Sequence, residues 1–434
     1  MSLEKTMHVR LPFTRSQRSN RKCPPVLSGI VFLVVGSYLS LYGLVPRAYS
    51  IGPAILLLLS VFCLRLSDLQ GFRGFSLRWV SIALCLYCFV QWLILAIHGE
   101  DVSEFDLAFR YIAAAFVLVF VSKYPVSGTT VFAFCAVGAV ISGGYALYQI
   151  EVLHSYRVDT FDNAIHYGNG SMALALICLC GLLSGLEKRI SIHLAVGLAL
   201  GFVAGMYASL ASGSRGVWIA FPILVSVLMA LYWRRIPATK KAAGGIIVAT
   251  VLGAVTLFQF DAIESRVNNG ITEYSDYFQL GRNSTSVGLR LDMWKAGVIA
   301  FKENPFIGVG PAGVDRTVER LVDEQIIHPN TASFRHLHSQ YIDILARQGL
   351  VGIVFYVFLI GSILYSFKRI FSDNRISASG HALAAAGIVF VIQHLVLSIT
   401  LSTLERSIGI MMFLFMIVFL LATAAREKKA LGAC

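Results

Sequence analysis

The feature that most limits what this chain can become is the recurrence of apolar runs of about 18 residues or more, each long enough to cross the hydrocarbon core of a bilayer. Lipid offers the backbone no hydrogen-bond partner, so a crossing segment must satisfy its own amides, and a helix does so. The runs lie near residues 25–44, 50–66, 78–97, 107–122, 127–149, 167–186, 191–211, 215–233, 243–260, 349–366, 380–400 and 405–424. An all-α polytopic membrane protein with about twelve transmembrane helices is therefore expected. Charged residues make up only 14% of the chain and hydrophobic ones 56%, whereas soluble domains carry roughly 25% charge. A soluble globular protein is excluded. The first run follows a long polar segment and is succeeded by many others, so it reads as a span and not as a cleaved signal peptide.

The formal net charge is +12. In a soluble protein that would suggest nucleic acid. Here the bases sort by loop, as expected when cytoplasmic loops retain them, and no nucleic-acid partner is called for. With the N-terminus inside, the inner connections carry Arg65, Arg73 and Arg78; Lys123; Lys188 and Arg189; Arg234, Arg235, Lys240 and Lys241; Lys368, Arg369 and Arg375; and Arg426, Lys428 and Lys429. The short outer loops carry single bases, Arg47, Arg157, Arg215 and Arg406, and the acidic run Glu100–Glu104. This partition predicts a basic cytoplasmic N-terminus (1–24), spans one to nine (25–260), one large outer segment (261–348), spans ten to twelve (349–424) and a cytoplasmic tail (425–434). The eight cysteines avoid the outer segment and read as small packing residues, with no disulfide framework or zinc site. No internal repeat or paired broken span of the transporter kind is evident.

The outer segment is the one long polar stretch in the chain. Chemistry placed there has no ATP or sugar nucleotide to draw on, so its substrate must arrive already activated, on a lipid. Within it, residues 287–302 have helical spacing, with Leu289, Met293, Ala296 and Ala300 on one side and Lys295 and Lys302 on another. Arg290 falls in the first turn, and Trp294 with the lysines suggests a helix lying in the membrane interface. Asn304-Pro305 ends it and Gly308-Val309-Gly310-Pro311 turns the chain. A second helix is expected to start at His338, with Ile342 and Leu345 beneath it and Gly349 and Gly352 permitting a break where it meets the next span.

These residues carry a specific likeness. His338-Ser339, then nine residues, then Gly349-x-x-Gly352 resembles the signature of the O-antigen ligase and polymerase superfamily. Gly288-Leu-Arg290 followed by Trp294, and Asn304-Pro305-Phe-Ile-Gly308-Val-Gly310, resemble the same family's upstream pattern. Arg215-Gly-Val-Trp-Ile219 is similar to an Arg-x-x-x-Leu pattern in an earlier outer loop of its ligases, with Ile in place of Leu. The motif-level likeness covers roughly 285–352; the span count and the late loop extend it less specifically over the chain. It implies a GT-C-like, inverting glycosyltransferase of a bacterial inner membrane. Such an enzyme moves a polysaccharide from undecaprenyl diphosphate to a sugar of lipid A–core on the periplasmic face.

The likeness assigns His338 as general base and Arg215 and Arg290 as diphosphate ligands, and the chemistry is sensible. A sugar hydroxyl gains from a base that is neutral near pH 7, and arginines bind a departing diphosphate through paired, charge-assisted hydrogen bonds. Arg282, Lys295, Arg110 and His336 are secondary candidates; Arg110 qualifies because a charge within a span is costly and usually faces the protein interior. His328 reads as structural, Asp343 as a solvated carboxylate, and Tyr274, Tyr277 and Phe278 as packing residues. The outer loops hold no Asp-x-Asp pair, so neither metal nor another cofactor is expected. A lipid-linked glycan polymerase, a pilin or other protein O-oligosaccharide ligase, and a polysaccharide or lipid transporter are the alternatives. A transporter needs polar groups within its spans, whereas this chain gathers them outside.

Overall fold

The computed structural model describes residues 25–64, 75–233, 235, 264, 268–281 and 283–427. They form an all-α polytopic membrane protein. In chain order its helices are α1 (Pro25–Leu41), α2 (Ala48–Cys63), α3 (Phe75–His98), α4 (Phe105–Lys123), α5 (Gly128–Leu147), α6 (Ala164–Glu187), α7 (Ile192–Ala211) and α8 (Arg215–Tyr232). Then come α9 (268–280), α10 (Ser286–Glu303), α11 (Pro311–Asp323), α12 (Gln340–Ser372), α13 (Ala378–Leu397) and α14 (Ser407–Ala424). Every expected apolar run except 243–260, which lies outside the described residues, coincides with one of these helices. Among the described residues eight helices are long and apolar enough to cross a membrane, and α1, α2 and α8 are shorter apolar helices.

Local chemistry sets the helix starts. Ser127, Asn163, Ser191, Thr285 and Ser377 each accept a hydrogen bond from a backbone N–H in the first turn of α5, α6, α7, α10 and α13, as small polar N-caps do. Between spans the packing relies on small residues, since lipid tails are as apolar as leucine and give helices no hydrophobic reason to associate. A Cβ on Gly143 of α5 would lie 2.7 Å from the Ala204 Cβ of α7, so this pair approaches closely only because Gly143 lacks one. α14 is the hub: every residue from Ile408 to Ala424 is buried, and it packs against α2, α4 and α13.

The polar segment folds into a small unit with its own core. Met293, Ala296 and Ala300 of α10 are buried with Val314, Val318 and Leu321 of α11, Ile327, Leu337 and Ala346. The helical face read for 287–302 is therefore present, and it turns inward onto α11 and α12. Its small side chains allow two other helices to approach, which a lone amphipathic pattern does not reveal.

α12 joins this unit to the spans and is broken where the Gly-x-x-Gly pattern allows. Gly349 has φ 63° and ψ −158°, a conformation essentially restricted to glycine. The break frees backbone groups, and the Pro305–Gly310 segment takes them up. Val309 N donates to Ala346 O (2.9 Å), Gly310 N to Arg347 O (3.2 Å), Leu350 N to Pro305 O (2.8 Å) and Val351 N to Phe306 O (3.0 Å). The two glycine motifs, some forty residues apart, are thus halves of one joint. On its other flank the unit is anchored just past the end of α3: the Glu100 carboxylate accepts from Ala312 N at 3.0 Å, placing negative charge at the N-terminus of α11.

Candidate functional site

His338 stands two residues before α12, not within it. Its backbone is left-handed, with φ 52°, which is uncommon for a residue with a Cβ and costs about 1–3 kcal/mol unless its surroundings hold it. They do. The buried Asp343 carboxylate accepts from Leu337 N with both oxygens (3.1 and 3.2 Å). Ser339, the N-cap of α12, accepts from Asp343 N at 2.9 Å, and Gln340 N donates to Ser398 O at 2.9 Å. Each backbone segment flanking His338 is pinned.

The pins belong to a buried polar knot joining α12 to the loop between α13 and α14. The Ser402 hydroxyl donates to Asp343. Arg347 lies 3.3 Å from Asp343 and 3.5 Å from Glu405 and donates to the Arg335 carbonyl at 2.5 Å. Leu404 N donates to the Gln340 side-chain oxygen at 2.7 Å. Asp343 is 0% exposed, so the solvated carboxylate expected from the sequence is instead the centre of this knot. Asp343 and Arg347 are one helical turn apart and face inward together, and Asp343 is affordable there because Arg347 and several hydrogen bonds compensate it.

Around His338 the rings of His336 (4.5 Å between centroids) and Phe334 (5.3 Å) pack closely. Its Nδ1 is buried without a hydrogen-bond partner among the described residues. Burial, and then the positive charges of Arg290 and Arg406, depress the His338 pKa from 6.5 to about 4. His336 is pushed down further, to about 3, by burial, by His338 and by Arg406 and Arg347. Both imidazoles are therefore neutral at pH 7. A neutral, half-buried imidazole within the electrostatic reach of two arginines suits removal of a proton from a hydroxyl beside a bound anion.

Of the residues expected from the sequence, the structure brings His336, His338 and Arg290 together. Arg290 rides on α10, which is oriented by Asp292. That buried carboxylate accepts from Tyr277 Oη (2.8 Å), Asn283 Nδ2 (3.1 Å) and His328 N (2.8 Å), so Tyr277 and His328 serve the loop's architecture. Lys295 points elsewhere, its Nζ 3.4 Å from the Ile326 carbonyl. Arg110 is paired with Asp106 on its own helix at 2.5 Å. Arg215 begins α8, though its side chain is not among those described, and Arg282 lies outside the described residues.

The sequence reading missed Arg406. It precedes α14, is 40% exposed, and has Asp162 at 4.0 Å, a distance at which the pair leaves the guanidinium able to meet an anion. As a single base in a short loop, with no motif around it, it carries no sequence signal. Among the described residues no group of three or more His, Cys, Asp or Glu side chains is arranged to hold a metal ion.

Comparison with known proteins gives a consistent picture. A family model described as O-antigen ligase matches residues 200–357, from α7 to just past the break in α12. An uncharacterized protein of Haemophilus influenzae is 25% identical over 386 residues, covering 88% of this chain and 95% of its own. An O-antigen ligase of Escherichia coli is 23% identical over 230 residues, 52% of this chain and 53% of that protein. An exopolysaccharide production protein, ExoQ, of Rhizobium meliloti is 26% identical over 200 residues, 42% and 44% of the two chains. The chain thus spans about half the length of the two named relatives.

Proposed function

Starting from this chain's membership of the O-antigen ligase superfamily, we propose that it is an inverting, metal-independent glycosyltransferase of a bacterial inner membrane. It would transfer a polysaccharide from undecaprenyl diphosphate to a sugar hydroxyl of lipid A–core on the periplasmic face, with both termini cytoplasmic. The observation that carries this reading is the convergence of a neutral His338 with Arg290 and Arg406. In the proposed step His338 takes the proton of the acceptor hydroxyl and the oxygen attacks the anomeric carbon. The bond from that carbon to the phosphate oxygen breaks, and undecaprenyl diphosphate leaves with the electron pair. Arg290, Arg406 and Arg215 bind its growing negative charge with charge-assisted hydrogen bonds. The bound anion also offsets the positive charges that depress His338, so the base strengthens when the donor is in place.

The deciding experiment reconstitutes the purified protein in liposomes with undecaprenyl-linked glycan and offers lipid A–core or a second lipid-linked glycan as acceptor. Glycan on lipid A–core is the expected product. A lengthened lipid-linked chain would make the protein a polymerase, and no transfer to either would overturn the enzyme reading. Chelation with EDTA should leave the rate unchanged; loss of activity restored by magnesium would remove the metal-independent mechanism.

A further inference from the structure

His166, at the start of α6, has an environment that the proposed transfer does not use. It is 3% exposed, yet neither ring nitrogen has a hydrogen-bond partner among the described residues. The nearest ion-pair contact is Asp162, at 3.8 Å. His166 lines two small cavities. One, of ≈ 20 Å³, is lined by Asn169, Gln393, His394 and Thr403 along with apolar side chains that include Met412 and Phe413. The other, of ≈ 10 Å³, is lined by Tyr42, Ser142 and Ser171, among others. The first holds more orphans: both side-chain polar atoms of Asn169, Oε1 of Gln393 and Oγ1 of Thr403 lack partners among the described residues. Asn169, Gln393 and Thr403 are 3%, 1% and 8% exposed. Tyr42 Oη is unpartnered in the same sense in the second cavity.

Leaving a buried polar atom unsatisfied forfeits its hydration with nothing in return. A dry row of this kind would be a heavy burden on a bundle that already uses glycine and alanine to pack tightly. The orphans include donors and acceptors, so a metal cation would satisfy only part of them, and an anion only the other part. The cavities are of the size that takes individual water molecules, which need roughly 10–15 Å³ each, and are too small for a sugar ring.

We propose that these cavities are ordered-water sites. Their waters tie His166 and Asn169 of α6 to Gln393 of α13 and to Thr403, with a branch to Tyr42, the residue after α1. Thr403 lies three residues before Arg406, on the same loop between α13 and α14, and Asp162, which faces Arg406, lies four residues before His166. The waters therefore hold the two sides of the Arg406–Asp162 contact in register, which makes Thr403 and Asn169 positioning residues for Arg406. This role, unlike the water sites themselves, rests on the proposal that Arg406 binds the donor diphosphate.

Millisecond X-ray hydroxyl-radical footprinting of the full-length protein in nanodiscs tests the sites without any reference to activity. Met412 lines the larger cavity and Met416, one turn further along α14, does not, although both are buried. With water in the cavity, Met412 is oxidised and Met416 is protected. Equal protection of the two in the wild-type protein would make the cavity dry and overturn the proposal. Asn169→Leu with Gln393→Leu should lower Met412 oxidation several-fold. If that double variant does not fold, Thr403→Val, which keeps the side-chain shape and deletes one orphan, should lower it to a smaller extent. Unchanged oxidation in the folded variant would equally count against the sites. For the positioning role, Thr403→Val should raise the donor KM several-fold with little change in kcat. Reduced labelling with an unaltered donor KM would remove the link to Arg406 and leave the water sites standing.

Discussion

At the scale of single residues, the arrangement around His338 explains how a histidine can be both strained and useful. Its left-handed backbone is paid for by the Asp343 and Ser398 contacts on its two sides, and its charge state by burial and two guanidinium groups. Because asparagine tolerates the left-handed region better than most residues, His338→Asn should retain the fold while abolishing glycan transfer. Wild-type transfer by a folded H338N protein would remove His338 as the base. The pH profile adds a signed test. A base depressed from 6.5 to about 4 stays neutral, and active, down to that pH. The acid limb of kcat/KM, which reports the free enzyme, should therefore fall near 4, and Arg290→Gln should move it upward by removing one positive neighbour. An inflection already at 6.5 in the wild type, or no shift in R290Q, would contradict the electrostatic picture. Arg215→Ala, Arg290→Ala and Arg406→Ala should each weaken donor use. Lysine should only partly rescue, because an ammonium cannot bind a phosphate in the paired manner of a guanidinium. Donor titrations that leave all three alanine variants unaffected would dismiss the diphosphate clamp.

At the scale of elements, the break in α12 is the decisive piece of construction. A straight helix would keep its own hydrogen bonds and offer nothing to the Pro305–Gly310 segment. Broken at Gly349, it replaces two of them, 350 to 346 and 351 to 347, by four bonds to that segment and so brings the loop unit down onto the span. A Cβ at Gly349 would lie 2.5 Å from the Phe306 carbonyl, and the backbone there has no comfortable place for alanine. Gly349→Ala should therefore lower the thermal unfolding midpoint in detergent and abolish transfer. Gly361, on the same helix with nothing within 4 Å of its would-be Cβ, provides the control: Gly361→Ala should be neutral or stabilising. Equal midpoints for the two variants would show that the break is dispensable. The Asp343 knot is the companion element. Asp343→Ala removes one of the two carboxylates that face the buried Arg347, leaving Glu405 at 3.5 Å, and should cost less than the roughly 3–5 kcal/mol of a buried charge left wholly unpaired. Adding Arg347→Met, which removes the under-compensated charge, should recover part of the lost stability but not the activity, since Leu337 N remains unanchored.

At the scale of the whole molecule, the polar groups collect at two ends with an apolar bundle between. One end carries the loop unit, His338 and the Ser398–Arg406 connection. The opposite end is tied by Glu187 with His381 (2.9 Å) and Arg235 (3.1 Å) and by Glu427 with Ser377 (3.0 Å). The proposed orientation, with the loop end outside, rests on loop charge. It predicts that Ala332→Cys, in a background lacking the native cysteines, reacts with a membrane-impermeant maleimide on intact spheroplasts. Lys188→Cys should react only after permeabilisation. The reverse pattern would invert the topology and move the chemistry to the side where nucleotide sugars are present.

Much of this organisation is legible without coordinates because it depends on short-range physics. Runs of apolar residues demand helices in lipid, a Ser or Asn before a run caps it, and the spacing of His338, Gly349 and Gly352 marks one segment of chain. What the sequence by itself determined is therefore the class of fold, the apolar helices among the described residues and the residues that resemble a known motif, but not the short helices α9 and α11 of the polar segment. The tertiary structure decided the rest. It turned the apolar face of α10 inward, buried Asp343 that reads as a surface carboxylate, paired Arg110 with Asp106, sent Lys295 toward Ile326, and brought Arg406 to His338 from a loop nearly seventy residues away. The physical reason is that burial and electrostatic neighbourhood are properties of packing between distant segments. A lone arginine in a short loop has the same local sequence whether it faces lipid phosphates or a buried histidine, and only the fold distinguishes the two.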